Sequence, residues 1–179
     1  LNDTAVVVGA GMIGLFIIQA LKLKGCGKVI AVDLEHNRLE LAKELGADFA
    51  LKADHHDVPA EVKKLSHGRG ADIALEAVGI AATVNTAIHC VRRGATVTLV
   101  GNLAPQVEIP LQAVVTQQLR LQGSCAIAGE YPAVLNMIAN GRINVDKILS
   151  ATAPLSDGAK WFQRLYDKEP GLMKVVLNP

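Results

Sequence analysis

Aromatic residues are scarce in this chain of 179 residues, in which one Trp, two Tyr and three Phe make up only 3% of the total. The hydrophobic core must therefore be built from Val, Ile, Leu and Ala, which is typical of a parallel sheet that is covered on both faces. Hydrophobic residues reach 50%, and this is enough for a sizeable core at a length that suits one domain, or one domain with an appendage.

The chain also lacks an excess of charge and a framework of cysteines. Its formal net charge is +1, so nothing in the composition favours nucleic acid or an anionic membrane as a partner. Cys26, Cys90 and Cys125 are widely spaced and form neither a disulfide framework nor a C-x-x-C metal motif. We therefore expect a reducing, cytoplasmic setting.

A membrane-spanning run is missing as well. The apolar stretch 5–21 is slightly short for a span, contains three glycines and Gln19, and has no basic residues before it. We expect neither a transmembrane helix nor a signal peptide. The chain begins with Leu1 rather than Met and its first strand starts almost at once, which predicts a domain taken from a longer polypeptide.

The most informative feature that is present is G-x-G-x-x-G at 9–14, directly after the β-forming run 4–8 and at the start of a helical pattern with Ile13, Ile17 and Leu21 on one face. This context is typical of a dinucleotide-binding unit. Gly9 is expected to allow the tight turn, Gly11 the close approach of a pyrophosphate, and Gly14 the packing of helix on strand. The N–H groups at the helix start, from Met12 and Ile13 onward, would face the phosphates.

A second apolar run, 29–32, ends on Asp33, at the expected distance of about 20 residues after the glycines. Its carboxylate can accept hydrogen bonds from both hydroxyls of an adenosine ribose and would repel a 2′-phosphate. Asp33 therefore predicts NAD(H) in preference to NADP(H).

Strands and helices alternate along the rest of the chain, which predicts an α/β fold with a doubly wound parallel sheet of about six strands. Helices are predicted at 37–46, with Asn37 as the N-cap, and at 58–66, 81–92, 111–118, 131–140 and 156–166. Further strands are predicted at 47–51, 71–78, 94–100, 119–125, 148–153 and 173–177.

Ligands of such sheets lie beyond the carboxyl ends of the strands. That rule brings the glycine motif and Asp33 to the same rim as Val78, Gly79, Val100 and Gly101. We expect the cofactor to bind there. The rhythm of the chain changes after the sixth strand, so we divide it into a dinucleotide-binding domain at 1–123 and a C-terminal helical arm at 124–179 that returns toward another domain.

Several of these segments together resemble the nucleotide-binding domain of the zinc-type medium-chain alcohol and sorbitol dehydrogenases. The resemblance covers essentially the whole chain and rests on GAGMIG at 9–14, VDLEHNRLELAKELGAD at 32–48, GADIALEAVG at 70–79, LVGN at 99–102 and LRLQGS at 119–124. It implies an oxidoreductase that transfers hydride between an alcohol or polyol and nicotinamide.

The resemblance also implies further cofactor-binding residues. Arg38 matches a basic residue that lies beside the adenosine. Residues that match Ala77, Val78 and Gly79 line the cofactor cleft in the family, and backbone groups that match Val100, Ser124 and Ala126 hold the nicotinamide carboxamide.

In the family, a catalytic zinc is held by Cys, His and acidic ligands from a preceding domain. Nothing in this chain matches those ligands, so we expect no catalytic residue and no metal ligand here, and no turnover by the chain alone. The cluster Asp54-His55-His56-Asp57 is the one candidate metal-binding motif in the sequence, and we expect its histidines to be solvated rather than to bind a metal. Glu76, inside an apolar strand near the cleft, is either an acid that supports the site from behind or, as we expect, a satisfied structural acid.

Other functions share parts of this pattern. A non-enzymatic NAD-sensing regulatory domain uses the same glycines and acid, and a methyltransferase also has a glycine-rich turn. The metal-free quinone reductase branch of the family commonly prefers NADPH, which Asp33 disfavours. The sixth strand, at 119–125, would be an uncovered sheet edge and predicts a homodimer that is continuous across it.

Overall fold

The computed structural model describes residues 2–167 and 169–179 and divides into two compact units, Leu1–Tyr131 and Pro132–Pro179. The strands are β1 (Thr4–Val8), β2 (Lys28–Asp33), β3 (Phe49–Lys52), β4 (Ala71–Glu76), β5 (Val91–Leu99), β6 (Arg120–Gly123), β7 (Leu149–Pro154) and β8 (Lys174–Asn178). The helices are α1 (Met12–Leu23), α2 (His36–Glu44), α3 (Val58–Leu65), α4 (Ala81–Cys90), α5 (Leu111–Thr116), α6 (Tyr131–Ala139) and α7 (Gly158–Tyr166).

The first unit is built around a parallel six-stranded sheet with the strand order β3-β2-β1-β4-β5-β6. This confirms the predicted doubly wound sheet, with its topological switch point between β1 and β4. The central strand β1 is almost completely buried, since helices cover both faces of the sheet. Val58 and Val62 of α3 and Val84 and Ile88 of α4 belong to one cluster with the side chains of one sheet face.

Two local predictions were wrong. Helix α2 begins at His36 after the N-cap Glu35, so Asn37 is not its cap. Helix α4 ends at Cys90, because β5 already begins at Val91 rather than Gly94. The helical pattern after the glycines forms α1, in which the buried side chains are Leu15, Ile18 and Gln19 and Ile13 is exposed.

The second unit contains a two-stranded parallel sheet of β7 and β8, with α7 between them in sequence. Arg164 of α7 stacks 4.0 Å from the ring centroid of Trp161 and donates a hydrogen bond of 2.6 Å to Glu169. Phe162 and Tyr166 on the same helix are exposed.

At the amino-terminal edge of the large sheet, Asp72 ties three strands together. It accepts hydrogen bonds from the Thr4 N–H at 2.9 Å, from Arg92 at 2.7 Å and from Arg69 at 2.9 Å. Burial alone would raise the pKa of Asp72, but the hydrogen bonds from Arg92 and Thr4 and the charges of both arginines outweigh it and hold the pKa below its ordinary value.

A folded-state pKa below the unfolded value means that the ionised Asp72 stabilises the fold above the ordinary carboxyl pKa and that this stabilisation is lost as the pH falls through the folded pKa. We expect Asp72→Asn to lower the free energy of unfolding by about 1 kcal/mol at pH 7 and by less in acid. Urea unfolding at pH 7 and at acidic pH measures both. An equal loss at the two pH values would contradict this role of the charge.

Candidate dinucleotide-binding site

The glycine turn at 9–14 lies where β1 passes into α1, beside the switch point of the sheet. Gly9 has a φ of +98°, and a Cβ there would lie 2.5 Å from a side-chain carbon of Val78. A Cβ at Gly14 would lie 1.8 Å from the Gly9 carbonyl oxygen. Both positions therefore require glycine because of contacts within the chain, as their predicted roles demand.

Gly11 is different, because among the described residues no atom outside Gly11 and its two chain neighbours lies within 4 Å of the place that its Cβ would take. Its φ of −70° and ψ of −173° suit any residue. It is the N-cap of α1 and offers no side chain, and the first helical hydrogen bond runs from the Leu15 N–H to the Gly11 carbonyl. The open space and the N–H groups of Met12, Ile13 and Gly14 fit a pyrophosphate that approaches the backbone.

Asp33 ends β2 next to this turn, and its side chain is only 8% exposed. One carboxylate oxygen accepts a 2.7 Å hydrogen bond from the Ala10 N–H, and the other accepts a 2.9 Å bond from the Glu35 N–H. The Arg38 guanidinium lies 3.8 Å from the first oxygen and is half-exposed. The carboxylate is thus fixed at the rim, with lone pairs left for a ligand.

The turns after β4 and β5 pack closely against each other. A Cβ at Gly101 would lie 2.2 Å from the Gly79 nitrogen, and a Cβ at Gly79, whose φ is +86°, would lie 2.4 Å from the Asn102 nitrogen. The sequence placed Gly79 and Gly101 at the cofactor cleft, and the structure gives both of them a packing role at that rim.

Glu76, the last residue of β4, is fully buried. Its carboxylate accepts hydrogen bonds from the N–H groups of Val78 at 2.9 Å and Gly79 at 2.8 Å. Its main-chain oxygen accepts hydrogen bonds from the N–H groups of Val100 and Gly101 at 2.8 and 2.9 Å. An acid within an apolar strand was the sequence signal for this residue, but its link to two turns follows only from the fold.

Two backbone positions expected at the nicotinamide end already use their N–H groups. The Val100 N–H bonds to Glu76, and the Ser124 N–H bonds to the Leu99 carbonyl at 3.0 Å. Ala126, with a φ of +56°, lies in the left-handed region. A ligand at this end would therefore meet the carbonyl rather than the N–H of Val100 and Ser124.

The remaining titratable clusters do not form a metal site. Among the residues that the structure describes, no group of three or more His, Cys, Asp and Glu side chains is placed to hold a metal ion. The side chains of His55 and Asp54 lie in an exposed turn, 3.9 Å apart.

Burial raises the pKa of the Cys90 thiol to about 12, and the three cysteines are free.

A polar cleft of about 290 Å³ opens at the end of the sheet where the strands begin, and it is lined by residues that include Thr4, Lys28, His67 and Asp72. These residues lie at or near the starts of β1, β2 and β4, so this cleft is separate from the rim that carries Gly9 and Asp33. Over the described residues, no helix is both long enough and apolar enough to span a membrane.

Comparisons with known proteins agree with this geometry. A family model described as zinc-binding dehydrogenase matches residues 13–140. The chain is 30% identical to the (R,R)-butanediol dehydrogenase of Neisseria gonorrhoeae and 30% identical to the sorbitol dehydrogenase of Bacillus subtilis, and in each case the match covers 99% of this chain and 51% of the relative. The chain thus spans about half the length of these relatives.

Two solved structures of similar proteins contain nicotinamide cofactors. One is a short chain alcohol dehydrogenase from Escherichia coli CFT073 complexed with NADH, with a TM-score of 0.88 and 27% identity over 99% of this chain and 52% of that one. The other is a zinc-binding dehydrogenase from Sinorhizobium meliloti 1021 bound to NADP, with a TM-score of 0.86 and 26% identity over 99% of this chain and 53% of that one.

Proposed function

The chain belongs to the family of zinc-binding dehydrogenases, and we propose that it is the NAD(H)-binding portion of an oxidoreductase that moves hydride between an alcohol or polyol and nicotinamide. The observation that carries this proposal is the open space at Gly11 beside the fixed carboxylate of Asp33. When bound, the nicotinamide ring supplies the hydride chemistry. The residues of this chain bind and orient the cofactor.

Each part of the rim has a role in this proposal. The glycine turn, with Gly9, Gly11, Met12, Ile13 and Gly14, receives the pyrophosphate at the start of α1, where the helix dipole favours negative charge. Asp33 binds the adenosine ribose and Arg38 lies beside the adenosine, and a 2′-phosphate would be placed against the Asp33 carboxylate. The residues proposed to line the nicotinamide half are Ala77, Val78, Gly79, Val100, Gly101, Ser124 and Ala126.

The proposal assigns residues 1–123 to the cofactor-binding domain and 124–179 to an arm on the side of the catalytic domain. It places the zinc and the alcohol outside this chain, because the described residues do not fit a zinc site. We further propose a cytoplasmic setting, which suits three free thiols, of which Cys125 is exposed.

A fluorescence titration of the chain with NADH, run beside NADPH at the same ionic strength, tests this function. We expect saturable binding of NADH and binding of NADPH that is weaker by about tenfold or more. Absence of NADH binding by the folded chain would contradict the proposal. Dehydrogenase turnover by the chain alone would contradict the placement of the catalytic groups elsewhere.

We also propose a homodimer through β6, the edge strand of the sheet. The Ser124 N–H points toward β5, and successive N–H groups of a strand alternate in direction, so the N–H groups of Leu121 and Gly123 point away from the sheet. These groups are available to a second copy of the chain. Three of the four residues of β6 are exposed.

Light scattering at tens of micromolar is expected to give the mass of a dimer for the wild-type chain. Leu121→Pro removes an outward N–H and should give a folded monomer, because it leaves the pairing with β5 intact. Gln122→Pro is the matched variant whose lost N–H faces β5 and which should damage the sheet itself. A monomeric wild type, or a dimer that tolerates Leu121→Pro, would refute this interface.

A further inference from the structure

We propose that Glu76 is a positioning residue, which holds the turns after β4 and β5 in the one arrangement that accepts the nicotinamide half of the cofactor. This inference deepens the proposed function and rests on it. Glu76 itself is not expected to touch the cofactor, because its side chain has no exposed surface. It acts through the backbone of Val78, Gly79, Val100 and Gly101.

The carboxylate of Glu76 lies in an unusual environment. Among the described residues, no Lys, Arg or His forms an ion pair with Glu76, and its carboxylate bonds to the N–H groups of Val78 and Gly79, with a third contact of 3.1 Å from its second oxygen to Gly79. A carboxylate so deeply buried is costly unless hydrogen bonds satisfy it. An apolar residue would fill this place in a strand without that cost. We therefore attribute the presence of an acid here to the hydrogen bonds by which it holds the turn at 77–79.

Glu76 also connects the turn after β4 to the turn after β5. The side chain of Glu76 fixes the turn 77–79, and its main-chain oxygen accepts the N–H groups of Val100 and Gly101. The Ala104 N–H bonds to the Gly79 carbonyl at 2.8 Å, and the backbones of Gly79 and Gly101 are in close contact. The two turns therefore move as one body, and Glu76 sets their common position.

The turn after β4 also contacts the glycine turn at 9–14. A side-chain carbon of Val78 lies 2.5 Å from the place that a Cβ on Gly9 would occupy. The Ala77 N–H also bonds to the Val8 carbonyl at 2.8 Å. The turn that Glu76 holds therefore packs directly against the turn proposed to receive the pyrophosphate.

Glu76→Gln keeps the size of the side chain and removes its charge, and it places an amide NH₂ opposite an N–H donor. We expect the dissociation constant for NADH to rise by about tenfold or more, since charge-assisted bonds are the stronger kind. The dissociation constant for AMP should change by less than about twofold, because Asp33 is held by Ala10 and Glu35 and not by Glu76.

Ser66→Ala is the matched control for a merely structural effect. Ser66 is another buried polar side chain, and its hydroxyl accepts a 2.9 Å hydrogen bond from the Gly70 N–H in a turn. It lies at the opposite end of the sheet, where the strands begin. Both variants are expected to lower the melting temperature. Only Glu76→Gln should raise the dissociation constant for NADH while leaving that for AMP nearly unchanged. A folded Glu76→Gln variant whose NADH affinity stays within about twofold of wild type would overturn the proposal.

Amide exchange of the wild-type chain needs no variant and no ligand. The Val78 and Gly79 amides should exchange as slowly as those inside β4, and rapid exchange at these two positions would refute the inference even if NADH binds. Conversely, protected amides in a folded chain that binds neither NADH nor AMP would leave the role of Glu76 in the turns intact and would refute the proposed function.

Discussion

A valine in place of Gly11 is expected to abolish binding of both NADH and NADPH while the chain remains folded. The side chain would enter the space beside the start of α1, where no atom of the described residues beyond the two chain neighbours of Gly11 lies within 4 Å of the Cβ position. The backbone angles at Gly11 are ordinary for valine, and a poorer N-cap costs about 1 kcal/mol or less. Circular dichroism and a titration with each cofactor measure the two effects separately.

Gly14→Ala is the comparison variant, because glycine at position 14 is required by packing within the chain, whereas glycine at position 11 is proposed to leave room for the ligand. Its Cβ would lie 1.8 Å from the Gly9 carbonyl oxygen, so we expect a large loss of stability rather than a selective loss of binding. Gly11→Ala, with a single methyl group, should weaken binding less than Gly11→Val. Retained affinity in Gly11→Val would place the pyrophosphate away from this turn.

The parallel, doubly wound arrangement of the strands could be predicted from the sequence because several local signals agree. Apolar runs end on residues that mark the rim, as Val32 is followed by Asp33 and Leu99 by Val100 and Gly101. Only a parallel sheet with helical crossovers brings all of these ends to one edge. The switch point then follows from the place of the glycine turn in the first crossover.

Contacts between elements decide what a local pattern leaves open. Apolar residues occur nearly all around α1, so the helical pattern alone does not indicate whether the face with Ile13, Ile17 and Leu21 or the face with Leu15 and Ile18 is buried. The choice is fixed by Gly14, which presses against Gly9 and turns its own side of the helix inward. Likewise, Val91 is a strand residue because it pairs with Ala71 at the start of β4, and no property of 91–93 alone indicates this.

The candidate site was predictable in position and less so in its internal connections. The glycines and Asp33 were found from spacing, but the bond from the Ala10 N–H to Asp33 joins two segments whose adjacency comes from the parallel pairing of β1 with β2. Glu76 was recognised as a satisfied acid, and its control of Val100 and Gly101 depends on the neighbouring strand β5. Contacts between strands are invisible to a reading of one segment at a time.

Replacing Asp33 with alanine is expected to raise the dissociation constant for NADH by about ten- to a hundredfold, as loss of hydrogen bonds to a charged group costs about 1.5–3 kcal/mol. The affinity for NADPH should fall by less, because the same change removes the charge that repels a 2′-phosphate. The structure adds a second effect, since Asp33 also holds the Ala10 N–H of the glycine turn. That part of the loss must fall on both cofactors.

Asp33→Asn separates the two effects, because an amide oxygen can still accept the Ala10 N–H while the charge is gone. We therefore expect NADPH to bind more tightly to Asp33→Asn than to Asp33→Ala, with NADH weakened in both. Asp48, directly before β3, offers a matched control, since its carboxylate also accepts a 2.7 Å hydrogen bond from a backbone N–H, that of Val29 in β2, and pairs with Lys22. Asp48→Ala should reduce stability and leave the ratio of the two dissociation constants unchanged. Equal losses of NADH and NADPH in Asp33→Asn would mean that this carboxylate supports the glycine turn alone and does not bind the ribose.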